Sequence, residues 1–217
     1  MHKRASAIRT MAAAVVVALA ASTGACGGSS HTPPPNCLQV APCGGDLVGT
    51  WTFIGTCTNV AALNDQLGDG CPGATFNAFG VALTGTFTFN ADLTYTASNW
   101  REDFVIAETL PLMCQGGATC ADGNGTQTDT TAGAMTTVTT TCTGTSTCTC
   151  RVNGRFIVSS DAGSWMTAGT NLTMYGTSTS TSLSYCVEED RLHMIQTSTT
   201  ATGQSASISD IVAVRGQ

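Results

Sequence analysis

In Leu47-Val48-Gly49-Thr50-Trp51-Thr52-Phe53-Ile54-Gly55-Thr56-Cys57, Gly49, Trp51 and Phe53 fall on one side of an extended chain and Thr50, Thr52 and Ile54 on the other. That period of two marks a half-buried strand. The rhythm returns from Phe79 to Phe89, where Phe79, Val81, Leu83, Phe87 and Phe89 oppose Thr84, Thr86 and Thr88. Asn90-Ala91-Asp92-Leu93 has hairpin-turn chemistry, and Thr94 to Ser98 leads back with Tyr95 on one face. Arg155 to Ser159, Asn171 to Tyr175, Leu183 to Val187, Arg191 to Ser198 and Ser207 to Arg215 read as further strands, with Glu188-Glu189-Asp190 a tight turn. Only Thr58 to Leu67 breaks the pattern: Thr58 can cap, and Val60, Leu63 and Leu67 fall at helical spacing. The fold class is therefore all-β: an up-and-down antiparallel barrel of about 8–10 strands with one short helix, a β-sandwich being the alternative.

The middle of the chain is less regular. Trp100 to Cys114 reads as a strand followed by a loop, and Cys120-Ala121-Asp122-Gly123-Asn124-Gly125 as a turn. In residues 126–149, thirteen of 24 positions are Thr. Thr forms strands well and cysteines flank the run, so a stapled strand–turn–strand around Thr143-Gly144-Thr145-Ser146 is expected.

The N-terminus reads as a sorting signal. Lys3, Arg4 and Arg9 precede an Ala- and Val-rich apolar run from Met11 to Ala21, then Thr23-Gly24-Ala25-Cys26. A basic flank, a short apolar core and small residues before the cut mark a secretory signal peptide over residues 1–25. A cysteine after small residues resembles the bacterial lipobox, which implies a diacylglycerol on Cys26. Thr23 stands where that motif usually has Leu or Val, so cleavage at Ala25 with plain secretion is the alternative. Residues 26–45, opening with Gly27-Gly28-Ser29-Ser30 and then Pro33-Pro34-Pro35, suit an extended tether. Gly27 is not Asp, which by the same resemblance favours an outer-membrane destination. A lipid bilayer, reached through acylated Cys26, is the first expected partner.

Charge and cysteines set further bounds. After removal of residues 1–25, five arginines and no lysine face fourteen acids, a net charge of −9. Such a chain repels nucleic acid and anionic lipid, so no nucleic-acid partner is expected. Of eleven cysteines, ten remain if Cys26 carries lipid, enough for five disulfides in an oxidising compartment. Connectivity does not follow from sequence; local loops suggest Cys57 with Cys71 and Cys114 with Cys120. Each staple restricts the unfolded chain, by about 3 kcal/mol for a 15-residue loop.

Leu47-Val48-Gly49-Thr50-Trp51 resembles the Gly-x-Trp opening of lipocalin-like barrels, and residues 85–96, 142–150 and 185–194 are similar to pieces of small bacterial lipocalin-like lipoproteins of the calycin type. The resemblance covers most of residues 46–217 thinly and lacks the helix that follows the last strand of larger lipocalins. It implies a barrel-closing contact of Arg215 across Trp51. It also implies a lipocalin-like domain over 46–217, with residues 126–149 as an insert.

No catalytic constellation assembles. A hydrolytic triad needs a base, and past residue 25 only His31 and His193 remain. His31 lies in the tether, and His193 faces solvent if Leu192 and Met194 face the core. Glu102-Asp103 and Glu188-Glu189-Asp190 read as solvated loops. Asp122 to Asp129 spaces oxygens as a calcium loop does but lacks the closing Glu, and an ordinary turn explains it better. Cys142, Cys148 and Cys150 could hold a soft metal, but disulfides fit an exported chain better. Neither enzyme activity, cofactor nor metal is expected. The expectation is an exported, membrane-anchored module binding a small apolar ligand on Phe53, Val81, Leu83, Phe87, Phe89 and Tyr95. The alternative is an envelope structural or interaction protein whose barrel is filled by its own side chains, with an unknown protein partner.

Overall fold

Alternating large apolar and Thr residues cannot bury one face unless the sheet packs on another layer or curls on itself. A computed structural model describes residues 40–115, 119–131, 134–176, 180–199 and 205–216, and in it the sheet curls. The strands are β1 (Gly49–Thr58), β2 (Thr75–Phe89), β3 (Thr94–Pro111), β4 (Gly125–Thr131), β5 (Ala134–Gly144), β6 (Thr147–Ala168), β7 (Asn171–Tyr175), β8 (Ser180–Glu188), β9 (Arg191–Thr199) and β10 (Ser205–Arg215). The order β3-β2-β1-β10-β9-β8-β7-β6 is closed by pairing of β3 with β6, giving an eight-stranded antiparallel barrel. The signal peptide, Cys26, His31 and the tether as far as residue 39 lie outside the described residues. Residues 43–45, at the end of that tether, run along β8, where the Cys43 and Gly44 amides donate to the Tyr185 carbonyl.

β6 is one strand of 22 residues, longer than its Arg155-to-Ser159 signature suggested. One of its edges pairs with β3 from Thr94↔Ser164 to Pro111↔Thr147. Its other edge pairs with β7 over Ser164 to Ala168 and with β5 over Cys148 to Val158. The Thr-rich stretch is thus the β4–β5 hairpin and the start of β6, continuing the sheet beyond the closed ring. Trp100 to Pro111 extends β3 and contains no loop.

The barrel has two ends with different interiors. At the lower end, Trp51, Phe53, Phe87, Phe89, Tyr95, Trp165, Leu172 and Leu192 belong to one buried cluster. Arg215 closes it: its guanidinium carbon lies 4.4 Å above the Trp51 ring, and its Nη1 and Nη2 donate to the carbonyls of Val48 (2.7 Å) and Asp46 (3.0 Å). Trp51 Nε1 donates to the Leu47 carbonyl at 2.8 Å. The Gly of Gly-x-Trp has a steric reason, since a Cβ on Gly49 would stand 2.9 Å from Arg215 Nη1.

At the upper end, Phe79, Phe104 and Ile106 form a second cluster with Val60, Leu63, Phe76, Val81, Val138 and Val152. Val60 and Leu63 come from helix α1 (Val60–Gly70), which packs on β2 and β10. Its cap is Asn59 and not Thr58: Asn59 Oδ1 accepts from the Ala62 amide at 3.1 Å. A four-residue helix, α2 (Leu112–Gln115), and a 3₁₀ turn (Cys120–Gly123) link β3 to β4.

The two interiors meet at a β-bulge. Thr86 pairs with Ser98 and Thr84 with Arg101, so Gly85 alone opposes Asn99 and Trp100. Asn99 has φ 52° and Gly85 φ 123°. The extra residue turns β3 over. Below it Tyr95 and Ala97 are buried, above it Glu102, Phe104 and Ile106, whereas β2 keeps its odd-numbered residues inside from Phe79 to Phe89. A Cβ on Gly85 would come within 2.9 Å of the Asn99 carbonyl oxygen and of Trp100 Cα.

The disulfides correct the local pairings expected from sequence. Cys71 is joined to Cys114 and not to Cys57; Cys120 is joined to Cys148 and not to Cys114. Cys57 is disulfide-bonded as well. Cys142 pairs with Cys150, its partner across β5 and β6, and Cys43 with Cys186, 143 residues away. Proximity along the chain misled because the barrel brings remote strands within bonding reach. Mass spectrometry of a non-reduced digest should recover Cys43–Cys186, Cys71–Cys114, Cys120–Cys148 and Cys142–Cys150; a peptide linking Cys57 to Cys71 would contradict the fold. Gly85→Ala should lower stability by about 1–3 kcal/mol in chemical denaturation, because a side chain is forced into a positive-φ position against backbone.

Candidate functional site

The residues expected to line a ligand cavity divide between the two ends. Phe53, Leu83, Phe87, Phe89 and Tyr95 lie in the lower cluster, all at most 7% exposed. Their rings pack on one another: Phe53 and Phe87 meet edge-on with centroids 5.6 Å apart, Phe87 stacks on Tyr95 at 5.7 Å, and Phe89 meets Trp165 at 5.6 Å. Tyr95 donates from its hydroxyl to Asp161 Oδ2 at 3.0 Å, and burial together with the Asp161 charge raises its pKa. Val81 stands apart, half-buried against the upper cluster.

The upper interior is apolar but more open. Val81, Trp100, Val138, Val152 and Phe156 remain half-buried. Val81, Val138 and Val152 pack on the Phe79 cluster, and Phe156 is the register partner of Glu102. Trp100 forms the floor, its ring 5.0 Å from Phe87 and 5.7 Å from Phe53. Its indole Nε1–H is buried and meets no acceptor among the described residues.

Glu102 is the least expected member. It reads in sequence as half of a solvated acidic pair, but the bulge points it inward, where it is 5% exposed. Its cross-strand neighbours are Leu83 and Phe156. No hydrogen-bond donor or cation reaches its carboxyl among the described residues, and burial pushes its pKa up to about 8. Asp103 points outward to the opposite chemistry. Arg101 Nε and Arg155 Nε each donate to it at 2.6 Å, and although burial opposes ionisation, those bonds and charges hold its pKa below the usual carboxylate value. Glu108 lies further up the inward face of β3, and burial raises its pKa too. Trp100 and Glu102, two residues apart beyond the bulge, thus fall on the same inward face of β3. The single legible signal for this was Asn99, a residue tolerant of positive φ, interrupting the alternation.

Other candidates resolve differently. His193 is buried, not solvent-facing, and its Nδ1 lies 2.9 Å from Asp210 Oδ2. Leu192 and Met194 do face the core; the surface reading failed because the outer face of β8–β10 is buried as well, with Cys186, Ile195, Val212 and Asp210 inaccessible. Asp122 Oδ2 accepts from the Thr119 amide at 2.7 Å and Asn124 Oδ1 from the Cys142 amide, so both oxygens are engaged in shaping the turn. Cys142, Cys148 and Cys150 are all in disulfides.

Compared with known proteins, the chain matches no protein-family model, no curated protein and no solved structure.

Glu102 makes stability depend on pH. Folded, it keeps its proton up to about pH 8, whereas unfolded it releases it near its ordinary value of 4.5. The unfolded chain therefore binds fewer protons in that window, and stability falls as pH rises through it. Glu102→Gln, which cannot ionise, should be more stable than the parent at pH 8 by on the order of 2–4 kcal/mol and nearly equal to it at pH 4, read from urea midpoints at the two pH values.

Proposed function

We propose that this chain is an exported binding module whose barrel holds a small, largely apolar ligand in its upper half, and that the lipid-anchored N-terminus expected from sequence carries it at the cell envelope. The observation that supports the reading is a half-buried apolar wall that carries a buried indole N–H without an acceptor, Trp100 Nε1, and an inward carboxyl, Glu102, that no donor reaches among the described residues. A buried polar group without a partner costs about 1–3 kcal/mol, which a ligand supplying the missing bond would recover. Mostly apolar walls with a few convergent polar groups are the usual make-up of small-molecule sites. The barrel's polarity fits a module in water: exposed Thr50, Thr52, Thr94 and Thr96 point out and the aromatic rings point in, the reverse of a membrane-spanning barrel. The disulfides fit an oxidising compartment.

A lipocalin-like identity is part of this proposal. It draws on Gly49-Thr50-Trp51, on Arg215 across Trp51 and on the eight-stranded closed barrel. The second reading, an envelope structural or interaction protein with a filled barrel, draws on the lower half, where interlocked rings take up the interior.

The test is titration with N-phenyl-1-naphthylamine, an apolar dye that brightens on leaving water. One saturable site, with quenching of Trp100 and at least tenfold weaker binding after Val152→Arg, is the expected result. Absence of saturable binding would favour the filled-barrel reading.

A further inference from the structure

We propose that the upper site selects an organic cation, an amine on an apolar body whose ammonium group pairs with the Glu102 carboxylate beside the Trp100 ring. The inference rests on the binding-module reading and names the head group of its ligand.

The charge lining the site is of one sign. From Glu102 the register runs through Phe156 on β6 and Thr136 on β5 to Asp129 on β4, all on one sheet face. At about 4.8 Å per strand, Asp129 lies roughly 14 Å from Glu102 on that face. Glu108 is the third acid there, on the same strand as Glu102. Toward β2 the neighbours of Glu102 are Leu83 and Val81, and from α1 Val60 and Leu63 reach the same cluster, none of them titratable. Among the described residues no cation shares this face. Arg101, Arg151 and Arg155 are exposed, Arg215 lies on Trp51 at the lower end, and Arg191 pairs in register with Glu188 in the β8–β9 hairpin. His193 is held on the outer side by Asp210. No lysine follows Lys3.

The alternatives fit less well. A ligand carboxylate would meet the Glu102 carboxyl, with no base among the described residues on this face to receive it. A neutral head leaves Glu102 protonated in its apolar wall. An ammonium group completes the pair, and the rings of Trp100, on the same face of β3, and of Phe156, the register partner of Glu102, suit a desolvated cation. The binding step balances as an exchange: the amine enters as its ammonium ion, Glu102 releases its proton to water, and an ion pair forms.

The experiment displaces bound N-phenyl-1-naphthylamine with three probes of one chain length: decylamine, decanol and decanoate. Decylamine should compete at least tenfold better than the other two at pH 7.5. Its affinity should rise about tenfold per pH unit from pH 6 to near 8, as Glu102 ionises while the amine stays charged, and decanol should show no such slope. Glu102→Gln should erase both the preference and the slope. Calorimetry of the unaltered protein at pH 6.5, in buffers of different ionisation enthalpy, should find about one proton released per decylamine bound, which needs no variant to fold. Equal competition by all three, or preference for decanoate, would overturn the amine assignment and leave the binding module standing. Failure of the dye to bind at all would overturn both.

Discussion

One extra residue in β3 governs the interior of this barrel. Without the bulge at Asn99 and Trp100 opposite Gly85, the odd-numbered residues that point inward at Tyr95 and Ala97 would continue inward, and Asp103 would enter the core in place of Glu102. A one-residue shift moves every side chain to the other face. The bulge therefore divides the barrel into a lower half packed with rings and an upper half with a carboxyl and an indole N–H in its wall. Gly85 makes this possible because its backbone passes so close to Asn99 and Trp100 that no side chain fits.

Closure supplies the second constraint. An open sheet of this length would expose long unpaired edges, and full pairing of β3 with β6 removes them from the ring. Among the described residues β4 is the outermost strand of the sheet, and its Thr-rich, exposed sequence offers little apolar surface for pairing with another chain. Disulfides hold the pieces that closure does not: Cys43–Cys186 ties the segment before β1 to β8, and the Cys120, Cys142, Cys148 and Cys150 cluster makes a small core beneath Leu110 and Leu112.

The adjacent acids Glu102 and Asp103 show how environment sets chemistry within one strand. Asp103 is held ionised on the surface between two guanidinium groups, while its neighbour keeps its proton in an apolar wall. Asp103 has its partners already. Glu102 lacks one, and that asymmetry is what singles out the inner acid for the binding proposed above and leaves the outer one tied into the surface.

The all-β class, the helix after β1, the places of most strands though not the lengths of β3 and β6, and the inward set on β1 and β2 were legible from the residues alone, because side-chain alternation is a local property that survives any particular tertiary arrangement. So was the turn chemistry of Asn90 to Leu93, where Asp92 accepts from the Thr94 amide at 3.0 Å. The disulfide partners, the burial of His193 and the inward turn of Glu102 were decided by the tertiary structure. Each depends on which strands become neighbours and on where the pairing slips by one residue. Those outcomes come from packing and closure over the whole ring, and no window of sequence contains them.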